Sequence, residues 1–329
     1  MFYNPVMVRQ DRVAYFGFMS LAGASGPTMS RRHAAGAESA RGLLFTVLGE
    51  FVLPSGGSAW TTAFIEVFAR LGVEEKATRQ ALMRTAADGW LRSERVGRRT
   101  RWHLTPAAER LLTEGTERIY HFPAVAREWD GRWLLVLARA PETGRPARHQ
   151  LRKRLTWAGF GSPAPGVWIS THAGRVAEAE EILAGMALLP GAQVFVAEHR
   201  GGELAALVRQ AWDLGALERS YEAFLGGFTA PEGRDPLVRV VELVHAWRRF
   251  PWIDPVLPPA LLPAPWSGER AARLFSRLHG QWSADATAEW LRISDGGQRL
   301  GSRAAGRHGH PGVARPAVQA RQVSGAPPL

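Results

Sequence analysis

Side chains able to grip a nucleic-acid duplex concentrate between Gly72 and Thr105, which reads GVEEKATRQALMRTAADGWLRSERVGRRTRWHLT. Lys76, Arg79, Gln80 and Met83 recur at i, i+3, i+4 and i+7, with Arg84 beside them. A guanidinium is a rigid fork of donors that fits guanine or phosphate, and a glutamine amide fits the adenine edge. A second cluster follows at Arg92, Arg95, Arg98, Arg99 and Arg101, set against the single acid Glu94. Guanidiniums at a protruding tip suit phosphate contact or entry into a narrow minor groove. The competing readings are plain ones. A helix face with a few charges is often only solvated, and basic residues on an edge strand blunt aggregation.

These side chains need a helix and a hairpin to hold them. The spacing predicts a helix over Glu74–Ala87, ended by Gly89. Its inward stripe would be Thr78, Ala81, Leu82 and Thr85. Two short runs, Trp90–Val96 and Arg99–Leu104, meet at Gly97-Arg98, where glycine permits the positive φ of a tight turn. Alternation puts Arg99 and Arg101 on one strand face. A helix followed directly by a basic hairpin is the pattern of a winged helix-turn-helix, whose helix enters the major groove.

The rest of the chain divides around this unit. Ala40, Leu43, Leu44, Val47, Leu48 and Phe51 predict a first helix over Glu38–Leu53. Ser58 is a candidate cap for a second, about Trp60 to Leu71. Thr105 and Pro106 open a fourth helix ending near Tyr120. Trp133–Leu137, Val167–Ser170 and Gln193–Ala197 read as buried strands, with helices over Arg148–Gly159 and Arg175–Met186. Phe160–Gly166 reads as a Gly/Pro turn, and no fourth strand is evident. Helices are expected over Leu204–Phe224, Asp235–Phe250, Glu269–Gln281 and Ala284–Ile293, with a proline-dense connection from Pro251 to Pro265. The fold class is therefore α+β. The expected divisions are a flexible extension 1–37, a winged helix-turn-helix 38–120, a ferredoxin-like α+β domain 125–200, a helical domain 204–294 and a disordered basic tail 295–329.

Composition excludes several chemistries. The 329 residues contain no cysteine, which rules out disulfides, thiolate zinc sites and cysteine nucleophiles and fits a cytoplasmic setting. The net charge of +11 sits mostly at the ends. Arg9, Arg12, Arg31 and Arg32 face only Asp11 there, and Arg299, Arg303, Arg307, Arg315 and Arg321 face no acid. The global charge is thus weaker evidence for a nucleic-acid partner than the local cluster. No apolar run reaches the ~18–20 residues of a membrane helix. Val13–Ala24 lacks a signal-peptide core, and Met29 stands as an alternative initiator.

Six phrases in order, SARGLLFTVLGEFV, FARLGVEEKATRQALMRTAADGWL, RVGRRTRWHLT, WDGRWLLVLARAPE, RKRLTWAGFGSPAPGVWIS and WRRFPWIDPVLPPALLPAPWSGERAARLF, span Ser39 to Leu291. Together they resemble the phenylacetic acid degradation repressor (PaaX) family of bacterial regulators. The resemblance implies a winged helix, a ferredoxin-like middle and a helical end. It also implies a homodimer on double-stranded operator DNA, released by a small effector whose namesake is phenylacetyl-CoA. Thr78 and Thr85 stand where larger aliphatic residues are expected, which implies a looser core.

Other functions compete with this one. The middle domain resembles small CRISPR-associated nucleases that bind metal near the first strand, where Asp130 stands. One carboxylate does not hold a catalytic metal, and Asp130-Gly131 equally fits a turn. An architectural module with an incidental basic hairpin is the third reading. His103, His121, His308 and His310 form no ligand pattern, and no cofactor or metal site is expected. An acyl-CoA effector would take its phosphates from Arg152, Lys153 and Arg154. Trp157, Trp168, Trp247 and Trp266 would line its apolar part. The plainer reading makes the cations a solvated face and the tryptophans core.

Overall fold

A computed structural model describes residues 40–122, 129–139, 145–228 and 235–305. The expected extension 1–37 and tail residues 306–329 lie outside them. Leu43, Leu44 and Val47 are buried on α1 (Ala40–Val47), which continues as a π-helical turn over Leu48–Val52. There Leu53 N–H reaches back to Leu48 O at 2.9 Å. β1 (Ser58–Trp60), α2 (Thr61–Arg70), α3 (Glu75–Ala87), β2 (Leu91–Val96), β3 (Arg99–Leu104) and α4 (Pro106–Tyr120) follow. The strands form an antiparallel sheet in the order β1-β3-β2. Ser58 does not cap α2. It lies in β1 opposite His103, because the extended Ser58–Trp60 gains a ladder with β3, and Trp60 occupies the N-cap position without a side-chain bond. Thr105 does cap α4, accepting from Ala108 N–H at 3.3 Å, with Pro106 in the first turn.

The middle segment runs β4 (Arg132–Leu137), α5 (Arg145–Trp157), β5 (Gly161–Ala164), β6 (Val167–Ser170), α6 (Val176–Ala184) and β7 (Gln193–Glu198). Its sheet is antiparallel throughout, ordered β5-β6-β4-β7. Leu134, Val136 and Trp168 meet Leu151, Leu155, Ala179 and Leu183 on one face. Trp133 and Ile169 meet Val208, Trp212, Leu257 and Leu261 on the other. Coverage of both faces explains why β4 is apolar without alternation. The strand missing from the sequence reading is β5, hidden in Gly161-Ser162-Pro163-Ala164. A side chain at Gly161 would come within 2.5 Å of Trp212 and 2.7 Å of Ala211, so only glycine fits there.

The last segment holds α7 (Leu204–Ala211), α8 (Leu214–Gly227), α9 (Pro236–Trp247), α10 (Phe250–Ile253) and α11 (Gly268–Ala305). The single helix expected over Leu204–Phe224 is two, because Trp212 turns extended and Asp213 restarts the helix by accepting from Ala216 N–H at 2.9 Å. The two helices expected after Glu269 are one, and it continues to Ala305. The proline-dense connection is ordered around Asp254. Tyr221 donates to that carboxylate at 2.5 Å and Val256 N–H at 2.6 Å, while burial pushes its pKa up.

One core joins the first and last segments. α1, α2 and α4 bury Leu44, Phe51, Phe64 and Leu111 together with Phe224, Val241, Trp247, Phe275 and Trp290 of α8, α9 and α11. Trp290 stacks on Phe51 at 5.7 Å and meets Phe64 edge-on at 6.2 Å. Around it, Arg70 of α2 bonds Asp235 at 2.7 Å, Glu289 at 2.6 Å and Glu66 at 2.5 Å. His245 of α9 meets Thr46 Oγ1 of α1 at 3.0 Å.

Candidate nucleic-acid interface

α3 has the two faces its spacing predicts. Thr78, Ala81, Leu82 and Thr85 are buried. The two threonines are fully enclosed at 0 % exposure. Thr78 returns its hydroxyl to Glu74 O at 3.1 Å, the usual resolution for a hydroxyl inside a helix. Lys76, Arg79, Gln80, Met83 and Arg84 all face out. Met83 is 62 % exposed, unusual for an apolar side chain with no partner to cover it. Arg79 pairs with Glu75 one turn back at 2.7 Å. Exposed i,i+4 pairs are worth only about 0.3–0.5 kcal/mol, so a base or phosphate can displace Glu75.

The hairpin beside α3 is anchored from beneath. Trp102 Nε1–H donates to Thr61 Oγ1 at 2.9 Å, and that hydroxyl donates to Thr100 O at 3.0 Å. β3 is thereby tied to the start of α2. Leu91 and Leu104 pair across the strands and are buried, while the distal half stands clear. Arg92, Arg95 and Arg98 are exposed. Gly97 makes the turn at φ +60°.

The other two hairpin arginines are placed differently. Arg99 lies over the Trp60 ring at 4.3 Å and Arg101 at 5.6 Å, both half-buried. Trp60 stands opposite Arg101 in the sheet, so it forms a platform for both guanidiniums. Glu94 faces Arg101 and bonds His103 Nε2 at 2.7 Å. The outward cations are therefore Lys76, Arg79 and Arg84 on the helix and Arg92, Arg95 and Arg98 on the ribbon. Arg99, opposite Val96 beside the turn, and Arg101 stiffen the ribbon on its β1 side. The sequence reading missed Trp60 and Glu94 as partners. The cross-strand register that aligns them was the available signal.

The remaining candidates are dispersed. Trp168 belongs to the helix-side core of the middle sheet, and Trp247 to the shared helical core. Trp266 packs between the latter and the sheet's other face. Trp157 is half-buried under Lys153 Nζ at 4.4 Å, with Arg152 exposed and Arg154 half-buried on the same helix. Asp130 sits in an exposed turn with Gly131 at φ +81°. Its carboxylate takes Arg132 N–H at 3.0 Å and the Arg132 guanidinium at 2.7 Å, which hold its pKa below the ordinary value. Among the described residues no group of three or more His, Cys, Asp or Glu is placed to hold a metal ion.

Fold and surface together define the class, an α+β protein whose first segment exposes a cationic helix face beside a basic ribbon. Family models match along the chain: a PaaX-like protein at residues 39–108, the PaaX protein central Cas2-like domain at 126–208 and the PaaX-like protein C-terminal domain at 212–292. The chain is 31% identical over 262 residues to the transcriptional repressor PaaX of Escherichia coli (strain K12), covering 75% of this chain and 81% of that one. It belongs to the PaaX family. Uncharacterized protein Rv0674 from Mycobacterium tuberculosis shares the fold, with a TM-score of 0.53 and 24% identity over 79% of this chain and 99% of that one.

Proposed function

We propose that this protein is a transcriptional repressor that binds operator DNA as a homodimer and controls an aromatic or acyl-CoA catabolic operon. The single observation that supports this reading is the outward face of α3 beside a ribbon that exposes Arg92, Arg95 and, at its turn, Arg98. Helices α1, α2 and α3 with the β2–β3 hairpin are read as a winged helix-turn-helix. The βαββαβ order of the middle segment is read as ferredoxin-like. Gln80 and Arg79 read base edges, Met83 contacts a thymine methyl, and Lys76, Arg84 and the ribbon hold phosphates. Two such helices enter successive major grooves about one duplex turn apart. The family is one of regulators, and no catalytic step is assigned to the chain.

An acyl-CoA effector, phenylacetyl-CoA in the namesake case, would release the operator. Arg152, Lys153 and Arg154 of α5 are the phosphate ligands in this reading, with Trp157 as the adjoining aromatic contact. Selection from random duplexes tests the DNA reading: a two-fold-symmetric motif is expected, and the absence of any motif sinks it. Titration of the selected complex with acyl-CoAs, followed by tryptophan fluorescence and DNA release, tests the effector. No response to any CoA ester refutes that part alone.

A further inference from the structure

The two sheets have four edges among the described residues, and three are guarded. β1 is only three residues long. β2 carries exposed Arg92, Glu94 and Arg95. β5 contains Pro163, breaks register against β6, and is packed at Gly161 by Trp212 and Ala211. Short length, charge, proline and irregular pairing are the devices that stop one edge joining another.

β7 has none of them beyond a single terminal charge, Glu198. It pairs with β4 in unbroken register over all six residues, from Gln193↔Leu137 to Glu198↔Arg132. Gln193 to Ala197 contains no proline and no charge. Phe195 is 46% exposed on one face and Val196 48% on the other. Leu137, opposite Gln193, and Leu189, just before β7, are also exposed, so half of the eight exposed large hydrophobic residues among the described residues lie on or next to β7. Its outward backbone groups lack a neighbouring strand. An open apolar edge of this kind is a liability unless a partner strand is meant to close it.

We infer that the partner is β7 of a second copy, paired antiparallel about a two-fold axis through Phe195, which joins the two sheets into one of eight strands. This rests on the dimeric reading above and locates its contact. Symmetry restricts the register. Each residue must face one of its own parity, or the two sheets would present opposite faces. With the axis at Phe195, Phe195 meets Phe195, Val194 meets Val196 and Gln193 meets Ala197. Shifting the axis to Val196 sets Val194 against Glu198, and shifting it to Ala197 sets Val196 against Glu198 and Phe195 against His199. Of these registers only the Phe195 one pairs Phe195, Val194 and Val196 with one another and sets no apolar strand residue against Glu198. It also leaves Glu198 beside Arg200, its partner within the strand, beyond the paired stretch.

Because the natural chain has no cysteine, single cysteines report this contact without background. Opposed residues in an antiparallel pair have Cα atoms about 4.5–5.5 Å apart, within disulfide reach. Phe195→Cys is therefore expected to give a covalent dimer on mild oxidation. Glu198→Cys, whose copies would lie about 20 Å apart along the strands, is expected to give none. Phe195→Arg, which alters only an exposed side chain of the protomer, is expected to keep its circular dichroism and sediment as a monomer. A dimeric Phe195→Arg, or cross-linking at Glu198→Cys but not Phe195→Cys, overturns the inference. The outcomes separate from those of the DNA reading. A selected DNA motif without the Phe195 cross-link refutes the interface alone, and a cross-link without a motif refutes the DNA reading alone.

Discussion

His245 provides a quantitative test of how the first and last segments are joined. Its ring lies in α9, with Nδ1 3.0 Å from Thr46 Oγ1 of α1. Burial, with a smaller contribution from the Arg248 charge, pushes its pKa down to about 4, from an ordinary value near 6.5. The folded state thus favours the neutral ring. The stability this provides is complete above about pH 6.5 and is lost as pH falls toward 4. At pH 5.5 the expected loss is about 1.4 kcal/mol, and by pH 4 it approaches about 3 kcal/mol. That is a large part of the ~5–15 kcal/mol of a typical fold. Other groups titrate over this range, so the reading must come from a difference. Urea denaturation of the wild type and of His245→Asn at pH 7.5, 5.5 and 4.5 supplies it. Asn keeps a polar atom near Thr46 but cannot take up the proton. Its curve should lie below the wild type at pH 7.5 and converge on it by roughly 1–3 kcal/mol toward pH 4.5. Parallel pH profiles would refute the argument that the junction holds this ring neutral.

Other expectations follow from the same structure. Arg98→Ala should weaken binding to every duplex and lower the salt slope by about 0.9 per phosphate lost, whereas Gln80→Ala should cost about 1–3 kcal/mol at one base position and leave the slope unchanged. Gel-shift titrations at two salt concentrations separate them, and equal effects from both contradict the assignment. Leu82→Ala removes a side chain with 0% exposure from beneath the exposed face of α3 and should cost about 2–5 kcal/mol in denaturant unfolding. Tyr221→Phe deletes the hydroxyl bonded to buried Asp254 and should cost about 1–3 kcal/mol, read as a lower thermal midpoint. An unchanged midpoint would show that Asp254 finds another donor.

What was legible in the sequence was whatever repeats locally. The stripe Thr78, Ala81, Leu82 and Thr85 is the buried face of α3, and the break at Gly97 is the hairpin turn. Thr105 and Pro106 start α4 where capping chemistry requires. The misses share a cause, which is long-range packing. Gly161–Ala164 looks like a turn until β6 on one side and Trp212 on the other give it a strand's surroundings. Trp212-Asp213 looks like helix interior until burial of Trp212 against the sheet rotates the chain. The same holds at the interface. Arg99 and Arg101 were legible as cations, but their seating on Trp60 depends on a pairing between residues some forty positions apart.

The core common to the two ends of the chain has a consequence for biosynthesis. Leu44, Phe64 and Leu111 bury themselves against Tyr221, Val241 and Trp290. At about 5–20 residues per second, a ribosome needs roughly 10–35 s to make the ~180 residues between Leu111 and Trp290. Through that interval the first segment is synthesised but lacks the lining that α8, α9 and α11 supply, while the middle segment can complete its own sheet. The emerging polypeptide therefore closes its first unit last.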